Sequence, residues 1–247
     1  MVSMPGRSTQ SNPMPVIIEN TNLSPDQNIN TATRNNCDRF KTPTTAGAYP
    51  TSYRTGNRRD EREKNAILRC LRYIPTGSRL LDFPCGSGRL LGLLQSAGYE
   101  VSGADSSLAM LEKIRAQSEY DGINLYESDV FASGFQDGEF DSVITNRLFH
   151  HFTCADDRKT ALRELGRISR GRVVISYFDC FSASMTIRRI SKYARGKAFL
   201  DRVPLSYPVF RKEIGETGMR VVYRTAARWG VSPLCYVVIE RSPLALR

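Results

Sequence analysis

The sequence predicts an α/β protein built on a doubly wound, mostly parallel sheet of seven strands whose last strand runs antiparallel. Three observations carry this. From Arg79 to Phe178, short apolar runs of strand type alternate with amphipathic patterns of helix length. The first of these strands ends in a glycine-bearing turn that opens a helix. The last two strand candidates are joined by a link too short for a parallel crossover helix, so they pair antiparallel.

The elements follow in order. Residues 1–45 are rich in Asn, Thr, Ser, Pro and Gln and show no apolar periodicity beyond Val16-Ile17-Ile18. They read as a disordered or loosely ordered arm, leaving 46–247 as the domain. In "RRDEREKNAILRCLRYIP", beginning at Arg58, Ile67, Leu68, Leu71 and Ile74 share a helical face, and Pro75 stops the helix. "RLLDF" is a buried strand, "GRLLGLLQSAG" a helix closed by Gly98, and "YEVSGAD" the second strand. "SSLAMLEKIRAQ" is a helix capped by Ser106 or Ser107, with Leu108, Leu111 and Ile114 as its stripe. "INLYESD" and "FDSVITN" are the third and fourth strands. "DDRKTALRELGRIS" is a helix with Leu162, Leu165 and Ile168 inward, and "RVVISYF" the fifth strand. A Ser-rich turn and a basic helical segment follow, a lid around residues 180–205. Then come a helix at "YPVFRKEIGETG" and closing strands at "MRVVYRT" and "LCYVVIE".

Composition narrows the function. Of the 247 residues, 40% are hydrophobic and 24% charged, enough apolar material for a substantial core. No apolar run approaches the roughly 18 residues of a membrane span, and the start of the chain lacks a signal-peptide pattern, so a cytoplasmic location is expected. The six cysteines, Cys37, Cys70, Cys85, Cys154, Cys180 and Cys235, include no CxxC pair, and His150 and His151 are the two histidines. A zinc site of local ligand pairs is therefore not expected, and no metal is assigned. The net charge of +10 favours anionic partners without choosing among nucleic acid, phosphorylated metabolites and a lipid surface.

A doubly wound sheet binds its ligand at the carboxyl ends of its strands. "LLDFPCGSGR" stands there after the first strand. Gly86 and Gly88 allow a sharp turn and close backbone approach, and the next helix offers its N–H groups. Asp105 ends the second strand, placed to accept hydrogen bonds from ribose hydroxyls. A dinucleotide loop would carry a third glycine about where Leu91 stands. Asp82, four positions before Gly86, is an acid that such a loop does not need.

"LDFPCGSG" resembles motif I of the class I S-adenosylmethionine-dependent methyltransferases, Asp/Glu-x-Gly-x-Gly-x-Gly, with Pro84 in place of its first glycine. This variant is similar to the small-molecule branch of ubiquinone and menaquinone biosynthesis. "VSGADSSLAML" resembles the family's next segment, and "ESDVFASGFQDGEFDSVITNRLFHHF" the one after it. The resemblance covers residues 58–178 well and 205–240 in architecture. It implies a Rossmann-like fold, S-adenosyl-L-methionine as cofactor, and a cofactor site of Asp82, Pro84, Cys85, Gly86, Ser87, Gly88, Asp105, Ser106, Asp129, Val130 and Asn146. There Asp129 and Val130 would meet the adenine. The cofactor has no pyrophosphate to bind, so the loop can drop the third glycine, and Leu91 can pack behind it.

Methyl transfer from a sulfonium is an in-line displacement that needs alignment more than a dedicated base. The exit of the fourth strand supplies the catalytic candidates Arg147, His150 and His151. Either histidine is a base or a packing group, and Arg147 meets an acidic substrate or is a solvated cation. The Asn/Asp-Pro-Pro-Tyr motif of adenine and glutamine methylation is missing, since "TNRLF" stands there. Pro84-Cys85 lies in the wrong loop for a cytosine-5 nucleophile, and Cys154 is a weak nucleophile candidate. The basic segment holds Arg188, Arg189, Lys192, Arg195, Lys197 and Arg202 against Asp201, with Met185, Ile187, Ile190, Tyr193 and Phe199 interleaved. It reads as a lid, a peripheral membrane contact over 188–202, or a nucleic-acid surface. Arg228 and Trp229 sit in the last loop. The leading reading is a methyltransferase acting on a small-molecule acceptor that is quinone-like, lipid-linked or a secondary metabolite. The alternatives are an RNA methyltransferase and a non-catalytic binding or scaffold protein of the same fold.

Overall fold

The structure, a computed structural model, describes residues 17–19, 29–38, 57–195 and 203–243. Its strands are β1 (Ile17–Glu19), β2 (Arg79–Asp82), β3 (Glu100–Asp105), β4 (Asn124–Glu127), β5 (Ser142–Thr145), β6 (Val173–Phe178), β7 (Met219–Ala226) and β8 (Leu234–Arg241). Its helices are α1 (Thr31–Asp38), α2 (Arg58–Leu71), α3 (Leu91–Ser96), α4 (Leu108–Arg115), α5 (Ala155–Ile168), α6 (Ala183–Tyr193) and α7 (Tyr207–Glu216).

One sheet runs in the order β1-β4-β3-β2-β5-β6-β8-β7. Strands β1 to β6 pair parallel, while β8 is antiparallel to both β6 and β7. The seven expected strands are all present, and β8 inserts between β6 and β7. Strands β5 and β6 are buried throughout, as a sheet covered on both faces requires. Alternation sorts their side chains. Val173, Ile175 and Tyr177 join the core under α5 and α7, where Leu162, Leu165, Ile168, Phe210 and Ile214 pack. Val174 and Phe178 join the opposite core, with Ile67, Leu71 and Leu94 of α2 and α3.

Two pieces of the expected loose arm are instead part of the fold, and that reading is corrected for them. Strand β1 pairs parallel with β4, Ile17 opposite Leu125, and so satisfies an otherwise open sheet edge. Helix α1 is pinned to the exit of β5. The Thr33 and Thr153 hydroxyls are 2.9 Å apart, and the Asn30 N–H donates to Asp157 Oδ1 at 3.2 Å. The remainder of residues 1–45 lies outside the described residues, as do residues 196–202 of the basic segment.

Two residues expected on apolar stripes face outward. Leu68 and Leu108 are exposed. In α2 the buried face runs through Asp60, Glu63, Ile67, Cys70 and Leu71, so the helical period takes two carboxylates inward where an apolar stripe was expected. In α4 the inward residues are Met110, Leu111 and Ile114. Among the described residues no helix is long and apolar enough to cross a membrane.

Candidate functional site

The turn after β2 is defined by its backbone. The Cys85 N–H donates to the Ala104 carbonyl at 2.8 Å, and the Gly88 N–H to the Cys85 carbonyl at 3.1 Å. Asp105, at the end of β3, receives the Gly86 N–H on Oδ2 at 2.8 Å and the Ser107 N–H on Oδ1 at 2.9 Å. One carboxylate thereby fixes both the glycine turn and the entry to α4.

The two glycines serve different ends. Both have positive φ, +55° at Gly86 and +84° at Gly88. A Cβ on Gly88 would meet Ile114, Leu91 and Tyr120 at 3.1–3.3 Å, so that glycine lets the core close behind the turn. A Cβ on Gly86 would meet nothing within 4 Å, so that glycine leaves open space. Leu91 is fully buried with Cys85 and Ile114 in the cluster behind the loop. The Cys85 thiol points the same way, and burial first, with Asp105 and Asp82 nearby, pushes its pKa well up.

A small open cleft lies at the carboxyl ends of β2 to β5. Pro84, Ser106, Asp129 and Val130, four of the residues expected at the cofactor, line it together with Phe83, Ser128, Phe131 and Leu148. Helix α1 closes one side with Arg34, Cys37 and Asp38, which the sequence reading did not foresee. Asp129 stiffens its own loop by accepting the Phe131 N–H at 3.0 Å. Ser87 is half-buried beside Gly86.

Asp82 is buried, and its Oδ1 has no hydrogen-bond donor. Burial raises its pKa to about 8, with Asp105 adding to the rise and Arg89 opposing it. A buried acceptor of this kind suits a ligand that brings a cation.

The exit of β5 departs from expectation. Arg147 is mostly buried rather than a solvated cation. Its guanidinium grips Glu63 of α2 with both arms, Nε donating to Oε1 at 2.8 Å and Nη2 to Oε2. Its φ of +61° is held by its N–H donating to Ser176 Oγ at 2.6 Å. Asn146, expected to touch the cofactor, has both ends of its amide engaged. Its Nδ2 donates to Glu63 at 3.0 Å, and its Oδ1 accepts the Tyr236 hydroxyl at 3.2 Å. Arg89 adds a further bond to Glu63 at 2.6 Å and one to Asp60 at 2.8 Å. Burial alone would raise the pKa of Glu63, but Arg147, Arg89 and Asn146 outweigh it and hold the carboxyl at about 2. The signal was present in the helical period that buries Ile67, which also buries Glu63.

His150 and His151 are buried. The His150 ring stacks on Phe178 at 4.2 Å with 2° between planes, and the two imidazoles lie 4.0 Å apart. This stacking accounts for their burial, and neither is among the residues that line the cleft.

Comparison with known proteins identifies the fold and the domain. A methyltransferase domain model matches residues 81–175. The tRNA (carboxymethyluridine(34)-5-O)-methyltransferase ALKBH8 of Mus musculus is 30% identical over 132 residues, 53% of this chain and 19% of that protein. The chain thus spans about a fifth of the length of that relative. An uncharacterized methyltransferase of Bacillus licheniformis is 29% identical over 109 residues, 41% of this chain and 47% of its own. Among solved structures, the magnesium protoporphyrin IX methyltransferase of Synechocystis PCC 6803 with bound SAH superposes with a TM-score of 0.65 at 16% identity. It covers 85% of this chain and 100% of its own. The PH0226 protein of Pyrococcus horikoshii superposes with a TM-score of 0.60 at 19% identity, over 79% and 97% of the two chains. The sheet order, the glycine turn anchored on Asp105 and the domain match agree: residues 81–175 match a methyltransferase domain, and the chain has the fold of S-adenosylmethionine-dependent methyltransferases.

Proposed function

We propose that this protein methylates a small-molecule acceptor held beside the cleft at the carboxyl edge of the sheet. The residues present fit the family's cofactor. Gly86 leaves open space at the turn, Asp82 holds an acceptor without a donor, and Pro84, Ser106, Asp129 and Val130 gather in one cleft. When bound, S-adenosylmethionine supplies a methyl group activated on a sulfonium. In this reading Asp105 holds the turn and offers its remaining lone pairs to the ribose. Asp129 and Val130 flank the adenine, and Asp82 receives the ammonium of the amino-acid portion. Helix α1 keeps water from that side of the cleft. In this reading the histidines are packing groups behind the cleft, and the chemistry relies on alignment, with no dedicated base.

The observation that supports a small acceptor is the character of the cleft. Its walls are largely apolar, and Arg34 and Asp38, the charged lining residues not given to the cofactor, balance one another. That balance suits a compact neutral acceptor better than a phosphodiester chain. A quinone-like or lipid-linked acceptor is the finer form of the proposal.

RNA is the second reading, supported by the net charge of +10 and the similarity to a tRNA methyltransferase. Incubation with methyl-labelled S-adenosylmethionine and a metabolite extract, beside purified RNA, separates the two. Label in the small-molecule fraction that survives RNase is the expected result. Label confined to RNA overturns the reading.

A further inference from the structure

Helix α6 is mounted with its apolar side outward. Its one buried residue is Met185, while Ile187 is 67% exposed, Ile190 64% and Tyr193 89%. At about 100° per residue these three fall within about 120° of arc, a stripe wide enough to seat in an apolar medium. Arg189 borders that stripe on one side, and Arg195, just past the helix, lies toward the other, while Arg188, with its Nε buried, turns toward the packed side. Residues 180–195 contain no acid.

A second segment extends the same surface. The loop between β7 and β8 is tied to the start of α6. The Ala183 N–H donates to the Gly230 carbonyl at 2.9 Å and the Ser184 N–H to the Val231 carbonyl at 3.2 Å. That loop exposes Trp229 and Val231 and carries Arg228, again without an acid over residues 227–233. Phe181, just before α6, is 79% exposed. Isolated exposed apolar residues are ordinary in soluble proteins, but a contiguous group ringed by cations marks an interaction surface.

We propose that the outward face of α6, with the β7–β8 loop beside it, docks on an anionic lipid surface. The charge pattern selects this occupant. Aliphatic side chains on the stripe enter the acyl boundary, Trp229 and Tyr193 suit the interface, and the flanking arginines meet lipid phosphates. Ile187 and Ile190 offer nothing to hydrogen-bond or stack on bases, so an RNA surface leaves the apolar stripe unexplained. Docking here puts the lipid surface at the same edge of the sheet as the cleft, because α6 follows β6 at its carboxyl end. The proposal does not depend on methyl transfer.

Flotation of the full chain with vesicles, in the absence of S-adenosylmethionine, tests it. The probes are phosphatidylcholine alone and phosphatidylcholine with about one third phosphatidylglycerol, a charge density in the range that attracts basic surfaces. The expected result is partition onto the anionic vesicles and weakening as salt is raised. Partition should fall about tenfold in the combined Ile187→Ser, Ile190→Ser, Tyr193→Ser variant and in Arg189→Glu with Arg195→Glu. Thermal melts check that both variants fold. Equal partition onto neutral vesicles, no partition onto either, or unchanged partition by the folded variants overturns the proposal. So does a dimer in light scattering that the triple serine variant dissolves, which would make the face a self-contact. RNA binding lost in that variant while vesicles are ignored would assign the face to RNA and likewise overturn it.

Discussion

The two loops at the carboxyl edge of the sheet, Asp82–Gly88 after β2 and Asn146–Phe152 after β5, are held by opposite means. The first is shaped by backbone bonds, with the Asp105 carboxylate, nineteen positions on from Gly86, anchoring it. The second is held by side chains brought from afar. Glu63 reaches Arg147 across 84 positions, Tyr236 reaches Asn146 across 90, and Phe178 stacks on His150. A backbone-built loop keeps its side chains and its open space for a ligand. A loop locked by side chains spends them on position, and Arg147 and Asn146 are spent in this way. Substitutions on the first side should therefore change affinity, and substitutions on the second should change stability.

The largest effect should come from Glu63→Ala. It leaves the mostly buried Arg147 without its carboxylate and Arg89 with Asp60 alone, at a cost of about 3 kcal/mol. In a chain of this size that lowers the melting temperature by about 10 °C. The wild-type carboxyl is held at about 2 from an ordinary 4.5. Its contribution to stability is complete above about pH 4.5 and is lost as the pH falls toward 2. The variant should show a weaker acid dependence in that window. A melting temperature within a degree of wild type would mean that the second loop is not held as described.

Asp105→Ala should do the reverse. It frees the Gly86 and Ser107 N–H groups and removes the acceptor proposed for the ribose. Affinity for S-adenosylmethionine should fall about 100-fold by titration calorimetry, with a smaller change in melting temperature than Glu63→Ala. A large drop in stability with affinity intact would erase the contrast.

Asp82 sharpens it through pH. With a folded pKa of about 8 against an ordinary 3.8, the folded protein binds a proton that the unfolded chain has released. Stability contributed at this residue therefore declines as pH rises from about 4 to about 8, and Asp82→Asn should flatten that decline. A cationic ligand group favours the ionised form, so cofactor affinity should rise between pH 6 and about 8 in the wild type and stay level in Asp82→Asn. Equal pH profiles for the two would remove Asp82 from the cofactor's surroundings.

The smallest effect on affinity should come from the histidines. His150→Ala and His151→Ala are expected to change cofactor affinity by less than about twofold, within the scatter of substitutions that touch no ligand. A tenfold loss in either would place an imidazole against the cofactor.

This contrast also explains what was legible in the sequence. The β-strand and helix alternation and the glycine turn are local signals, and they stand where they were expected, with Asp105 holding the turn and Asp129 and Val130 lining the cleft. Leu91 in place of a third glycine was readable too, because its burial follows from the helix it starts. The bonds of Arg147 and Asn146 to Glu63 and Tyr236 were not readable, because those partners lie on α2 and β8 and no local pattern pairs residues so far apart. Helix α1 was hidden in a polar segment because threonine and asparagine bonds, and no apolar stripe, fasten it to the β5 exit. The outward face of α6 was unreadable for a related reason. Its apolar residues have helical spacing, and spacing alone does not say which way a stripe points.

The central claim is that the cleft beside the Asp105-anchored turn is an S-adenosylmethionine site. Titration calorimetry of the wild type with S-adenosylmethionine, with NAD as the competing dinucleotide, tests it most directly. The account predicts micromolar binding of S-adenosylmethionine and no heat from NAD. Absence of binding by S-adenosylmethionine, or tighter binding of NAD, would contradict it.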